Sequence, residues 1–194
     1  MTIAQETRYY SPEEYLELEV NSDIRHEYID GVIIPMTGGT PNHNQIAGNF
    51  YAVLNFALKR QPYQVFVTDQ RLWIPNKRIH TYPDIMVIQN PLVYEEGRKD
   101  TLTNPIMIAE VLSKSTSSND RDQKFAAYRT ISTLQEYILI DQYTMHVEQY
   151  WKTDNNKWIF SEFTDENTSL NLASVPCQIL LADIYDKVDF HAEV

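Results

Sequence analysis

The chain has 194 residues, 43% of them hydrophobic, and 27 acidic against 16 basic side chains give it a net charge of −11. A protein that holds nucleic acid mainly through its overall field is basic, so any phosphate contact here has to be local, with a metal ion supplying positive charge. No apolar run approaches the roughly 20 residues of a membrane span, the start MTIAQETRYY lacks the apolar stretch of a signal peptide, and five scattered histidines with the single Cys177 make neither a zinc cluster nor an internal disulfide.

In chain order, SPEEYLELEV reads as a helix with Ser11 as its cap, Pro12 at its first position and two glutamates in its first turn. RHEYIDGVIIPM reads as a β-hairpin, because Asp30-Gly31 supplies a two-residue turn between β-rich arms. GGTPNHNQ predicts a loop, followed by a helix to about Arg60 whose buried stripe is Ile46, Phe50, Val53, Leu54, Ala57 and Leu58. YQVFVTDQRLWIP and TYPDIMVIQ follow as successive strands joined by the turn NKRIH. NPLVYEEGRKDTLTNP, bracketed by prolines, is a loop or flap. IMIAEVLS is an apolar run of the kind buried on both sheet faces, interrupted by one acid. SSNDRDQKFAAYRTIS is a helix with polar residues ahead of it, and EYILID is a further strand. MHVEQYWK and KWIFSEFT make a second hairpin around TDNN, and LLADIYDKV is a closing helix. With no repeats, low complexity or linker, residues 1–194 are expected to form one mixed α+β (α/β) domain, cytoplasmic, with Cys177 as a small core residue.

Period-two alternation puts Asp84, Met86 and Ile88 on one strand face, and Ile106, Ile108, Glu110 and Leu112 on another. Side by side in suitable register, these strands bring Asp84 and Glu110 together near one end of the sheet. Two close carboxylates repel, and such a pair needs a cation or a shared proton.

Pro83-Asp84, a long spacer and then Glu110-Val111-Leu112 resembles the PD-(D/E)XK nuclease signature, with Leu112 where a lysine is expected. The ordered set RHEYIDGVI, NHNQIAG, YPDIMVI, AEVLSKST, DRDQKFAAYR and LQEYILID covers nearly the whole chain. It is similar to the Uma family of predicted restriction endonucleases. The resemblance implies a restriction-endonuclease-like core over about residues 42–141, a central mixed sheet flanked by helices, with the N-terminal and C-terminal hairpins outside it. Its order of helix, three strands, helix and strand is also the order of the segmentation from Asn42 to Asp141. The resemblance further implies a DNA-cleaving activity and an acidic site residue in the first hairpin, at Glu27.

The lysine that Leu112 replaces is expected on the following helix, where the superfamily is known to relocate it. Asp120, Lys124 and Tyr128 are spaced i, i+4, i+8 and share one face, and Phe125 and Ile131 alongside set Lys124 at the border of the packed surface. Lys114, nearer in sequence but in a polar loop, is its rival. His43, at the opening of a helix beside Asn42 and Asn44, Gln70, in the strand before Asp84, and Tyr128 are candidates for substrate contact. Three carboxylates without a thiolate or histidine cluster favour a hard cation, Mg²⁺ or Mn²⁺, with Asp84, Glu110 and Glu27 as its ligands and Lys124 stabilising the developing charge. NKRIH, GRKD, Arg121 and Arg129 offer local positive charge to DNA, and cutting both strands of a duplex calls for two sites, hence a homodimer. The expected function is a divalent-metal-dependent DNA endonuclease. The alternative, favoured by Leu112 and the acidic surface, is a catalytically degenerate nuclease fold acting as a nucleic-acid-binding or regulatory module.

Overall fold

The computed structural model describes residues 8–113 and 120–191. Helix α1 (Pro12–Val20) opens with a reciprocal cap: the Glu14 N–H donates to the Ser11 hydroxyl, and the Ser11 N–H donates to the Glu14 carboxylate. Strands β1 (His26–Ile29) and β2 (Val32–Pro35) form the first hairpin, with Asp30 and Gly31 at φ +43° and +101°, as a two-residue turn of this type requires. Helix α2 (Pro41–Ala57) starts inside the segment whose composition predicts a loop. Thr40 caps it by accepting from the His43 N–H, and Pro41 takes the first position.

The largest departure from the sequence pattern lies in YQVFVTDQRLWIP and TYPDIMVIQ, each of which divides between two sheets. Strand β3 (Tyr63–Val67) ends at Thr68, whose φ of +51° turns the chain toward β4 (Arg71–Ile74). A 3₁₀ turn at Pro75–Lys77 then leads into β5 (Ile79–Thr81), which pairs back onto β4. Tyr82-Pro83-Asp84 carries the chain to β6 (Ile85–Gln89), the antiparallel partner of β3. The sequence cannot reveal these crossings, because the polar run Thr68-Asp69-Gln70 marks a turn without saying which sheet the next strand joins.

The predicted flap holds the short strand β7 (Thr101–Leu102), parallel to β4. Next come β8 (Met107–Leu112), a π-helical turn (Asp120–Lys124) that runs into α3 (Phe125–Tyr128), and β9 (Glu136–Asp141). Strands β10 (Val147–Lys152) and β11 (Trp158–Phe163) form the second hairpin. A small pair, β12 (Ser169–Asn171) and β13 (Gln178–Leu180), is not visible in the sequence pattern, and α4 (Leu181–Ile184) is shorter than predicted.

The six-stranded sheet has the order β11-β10-β9-β8-β6-β3, and the five-stranded sheet β2-β1-β5-β4-β7. Both are mixed, with β8 parallel to β9 and β4 parallel to β7. The expected order of helix, three strands, helix and strand is found in α2, β3, β6, β8, α3 and β9, with β4, β5 and β7 diverted into the second sheet.

Every residue of β8 is buried, which explains its near-continuous apolar run. Met107, Ala109 and Val111 pack with Ile85 and Val87 against Ile46, Phe50 and Leu54 of α2 and Leu181 and Ile184 of α4. Ile108 and Leu112 turn the other way, joining Met86 and Ile88 against Ala127 and Tyr128 of α3 and Leu72 and Ile74 of β4. The six-stranded sheet is thus a middle layer, and α3 lies between it and the five-stranded sheet. Cys177 packs half-buried against the α2 side. Among the described residues, no helix is long and apolar enough to cross a membrane.

Candidate functional site

Strand β6 pairs with β8 so that Ile85 faces Ala109, which brings Asp84 and Glu110 to the next step of the ladder. Glu110 stands between Ile108 and Leu112 and is only 3% exposed. The Asp84 N–H donates to Glu110 Oε2 at 3.3 Å, and the Val111 N–H donates to Asp84 Oδ2 at 2.8 Å. His43 approaches from the first turn of α2, with Nε2 3.1 Å from Asp84 Oδ2. Two features hold this helix end in place. The Thr40 hydroxyl donates to Gln142, whose amide in turn donates to the Leu112 carbonyl. Gly39 lies against the His43 ring, where a Cβ would come within 2.9 Å of Nδ1.

The helical segment closes the other side of Glu110. Its Oε1 accepts from the Tyr128 hydroxyl at 2.6 Å and from Lys124 Nζ at 3.4 Å. The same ammonium lies 3.2 Å from Asp120 Oδ1 and 3.6 Å from Glu27 Oε1. Glu27 projects from β1 and is held by the hydroxyl of Thr81 on the neighbouring strand β5. Beneath this contact a cavity of about 30 Å³ lies between the hairpin and the helix, enough for a water molecule. Ile29, Ile74 and Ile79 line its apolar side, and Glu27, Thr81 and Lys124 its polar side.

Four carboxylates, Glu27, Asp84, Glu110 and Asp120, therefore share two basic groups, Lys124 and His43. Burial pushes the Glu110 carboxyl up to about 8; Asp84 and Asp120 push in the same direction, and Lys124 and the Tyr128 hydrogen bond push against it. Burial alone would lower the Lys124 ammonium, but the charges of Glu110, Glu27 and Asp120 outweigh it and hold the group well above its ordinary value. His43 is likewise raised: burial acts against it, and the hydrogen bond and charge of Asp84 prevail. For Tyr128, burial first and then the Glu110 charge keep the hydroxyl protonated.

The donor set suits a hard cation. It is all oxygen, and Asp84 and Asp120 add to burial in holding the Glu110 carboxyl above its ordinary value, a crowding that a cation would relieve. Among the described residues, no three His, Cys, Asp or Glu side chains converge as an ion cage. Mg²⁺ sites commonly use one or two carboxylates with waters and substrate phosphates, and Asp84 and Glu110 are a pair of carboxylates on adjacent steps of the β6–β8 ladder.

The structure brings together Asp84, Glu110, Lys124, Tyr128, Glu27 and His43. Glu27 joins through Lys124. Gln70 sits on the link between β3 and β4, not within a strand, and its amide donates to the Arg71 and Asp100 carbonyls. Lys114 lies outside the described residues. Of the basic side chains expected to face DNA, Arg98 pairs with Asp100, Arg78 with Asp30, and Arg121 with Glu148, while Arg129 lies over the Phe125 ring. Thr81 and Asp120 complete the cluster. The spacing of Asp120 to Lys124 is a signal for the second; for Thr81 the only signal is the pairing of β1 with β5, which the sequence does not show.

Comparison with known proteins places this geometry in context. A family model described as "Uma2: Putative restriction endonuclease" matches residues 12–182. An uncharacterized protein of Synechocystis sp. is 38% identical over 173 residues, covering 89% of this chain and 98% of the relative. Another uncharacterized protein of the same organism is 32% identical over 182 residues, 93% of each chain. A crystal structure from Anabaena variabilis, described as a "putative nuclease belonging to DUF820", superposes with a TM-score of 0.75 at 22% identity. It covers 91% of this chain and 97% of its own, and shares the fold.

Proposed function

The chain belongs to the Uma2 family, and from that membership and the cluster around Glu110 we propose that it is a divalent-metal-dependent endonuclease that hydrolyses phosphodiester bonds in DNA. The observation that carries the reading is the Lys124 ammonium 3.4 Å from Glu110, whose other oxygen faces the Asp84 backbone. It answers the absence of a lysine at Leu112 with one from the helix.

Asp84 and Glu110 are the residues that would hold Mg²⁺ or Mn²⁺. Bound there, the ion supplies a water of lowered pKa and neutralises phosphate oxygens. Tyr128 fixes Glu110 Oε1 and so leaves Oε2 on the Asp84 side. His43 fixes Asp84 Oδ2. Lys124 directs a full positive charge from a water-poor setting toward the charge that develops on the phosphate, where a preorganised donor is most effective. Glu27, held by Thr81 and facing the ammonium, is read as acting on Lys124 and not as a third ligand. A homodimer, with residues of about 42–141 as each nuclease core, would present two sites to a duplex.

A second reading, a nucleic-acid-binding module without catalysis, is favoured by the way Lys124 already neutralises carboxylates of the site. Assays on plasmid, single-stranded and structured DNA with Mg²⁺ or Mn²⁺ separate the two. Cleavage by the wild type that disappears in Asp84→Ala supports the nuclease. DNA binding without cleavage under either ion supports the module.

A further inference from the structure

We propose that Asp120 is a positioning residue for Lys124, an anchor that holds the ammonium in place independently of the metal-binding carboxylates. The proposal rests on the reading of Lys124 as the electrostatic group of the site. Asp120 is 2% exposed, and its Oδ1 has no hydrogen-bond partner. The charge facing that oxygen is Lys124, at 3.2 Å. A buried carboxylate oxygen without a donor is costly unless an opposite charge compensates it, so the burial of Asp120 favours keeping the ammonium beside it.

The backbone gives the anchor its rigidity. Asp120 and Lys124 are the first and last residues of the π-helical turn Asp120–Lys124, a form that occurs mostly as single turns and frequently at functional sites. The Asp120 carbonyl accepts from the Tyr137 hydroxyl at 3.0 Å, which ties the start of that turn to β9.

Glu110 and Glu27 also contact the ammonium, but neither can do this work alone. A divalent ion on Glu110 would lie close to Lys124 and repel it, and Glu27 approaches only to 3.6 Å across the small cavity. Asp120 reaches the ammonium from within its own helical turn. It is therefore the contact that persists when Glu110 turns to an ion. An acid at a helix start that merely favours the helix dipole would be solvated and indifferent to the lysine.

Two measurements on the full chain test this. In the first, the metal-free protein is acetylated and each lysine is followed by mass spectrometry. Lys124 should label at least about tenfold faster in Asp120→Asn than in the wild type, as expected when a buried pair is broken. Lys59 and Lys77 should label at unchanged rates. Asp122→Asn, two residues away on the exposed side, should match the wild type, and Asp120→Glu, which keeps the charge, should restore at least part of the protection. In the second, DNA cleavage by Asp120→Asn should fall about 10- to 100-fold in kcat, with KM and the metal concentration for half-activity unchanged.

Unchanged Lys124 labelling in Asp120→Asn, or equal acceleration of every lysine, overturns the proposal, because the first denies the contact and the second marks general loosening. Should Asp120→Asn not fold, Asp120→Ser carries the same comparison. If the wild type cuts no DNA, the nuclease reading fails while the labelling still decides the role of Asp120.

Discussion

Asp84 and Glu110 are joined through the backbone as much as through charge: the amide of Asp84 donates to Glu110, and the amide beyond Glu110 donates to Asp84. Each carboxylate is oriented by the strand that carries the other. Their spacing is thus a property of the β6–β8 register, and a one-residue slip would send them to opposite faces.

An ion that relieves this crowding binds the folded chain and not the unfolded one. Thermal melts should therefore show stabilisation by Mg²⁺ or Mn²⁺, about 2.7 kcal/mol when the free ion is about 100 times its Kd. Asp84→Asn should remove most of the shift. Equal shifts in variant and wild type would place the ion elsewhere.

Glu110 sets a pH dependence in the metal-free protein. Its folded-state pKa, about 8, lies above the ordinary 4.5, so between those values the folded chain keeps a proton that the unfolded chain releases. The associated stability is complete below about pH 4.5 and is lost as pH rises through about 8. Urea denaturation from about pH 5 to about pH 8 should show this decline, and Glu110→Gln should flatten it. A wild type no steeper than Glu110→Gln would show that the carboxyl releases its proton at its ordinary value.

For catalysis, Lys124→Ala should lower kcat about 10²- to 10³-fold, the range for loss of one preorganised donor. Metal-dependent melting should persist, because the ammonium acts on the reacting phosphate and not on the ion. Lys114→Ala should be nearly silent. The opposite pattern in single-turnover cleavage would transfer the role to Lys114.

Tyr128→Phe removes the shortest hydrogen bond to Glu110. Leaving a buried polar group without its partner costs about 1–3 kcal/mol, so denaturant midpoints should fall by a corresponding amount. Half-activity should also need more metal, since Glu110 loses the partner that orients it. Unaltered stability and metal dependence would sink the idea that Tyr128 orients Glu110.

How far the sequence predicts the molecule depends on the range of each interaction. Ser11 with Glu14, the Asp30-Gly31 turn and the apolar run of β8 are local, and the structure has each where the residues place it. Asp84 and Glu110 are distant in sequence, yet strand parity with β6 beside β8 suffices to pair them. Lys124 with Tyr128 follows from helical spacing. What stays hidden depends on contacts between sheets. The chain leaves one sheet at Thr68 and re-enters it after Asp84; the polar run from Thr68 to Arg71 marks a break but not which sheet each half joins, and this crossing takes Gln70 away from the cluster and sets Thr81 against Glu27. Thr40 as the cap of α2 is local but ambiguous, since GGTPNHNQ has the composition of a loop and the geometry of a helix start.

The crossing has a further effect on how the site is assembled. Glu27 and Thr81 belong to the five-stranded sheet, Asp84 and Glu110 to the six-stranded one, and Lys124 to the helical turn that follows β8. A nascent or partly melted chain with one sheet formed has either the acidic pair or the Glu27 wall, never the whole constellation. On the nuclease reading, the six-stranded sheet and the helical turn carry the acidic pair and Lys124 by themselves, and docking of the second sheet adds the Glu27 carboxylate that faces the ammonium and closes the small cavity beside it.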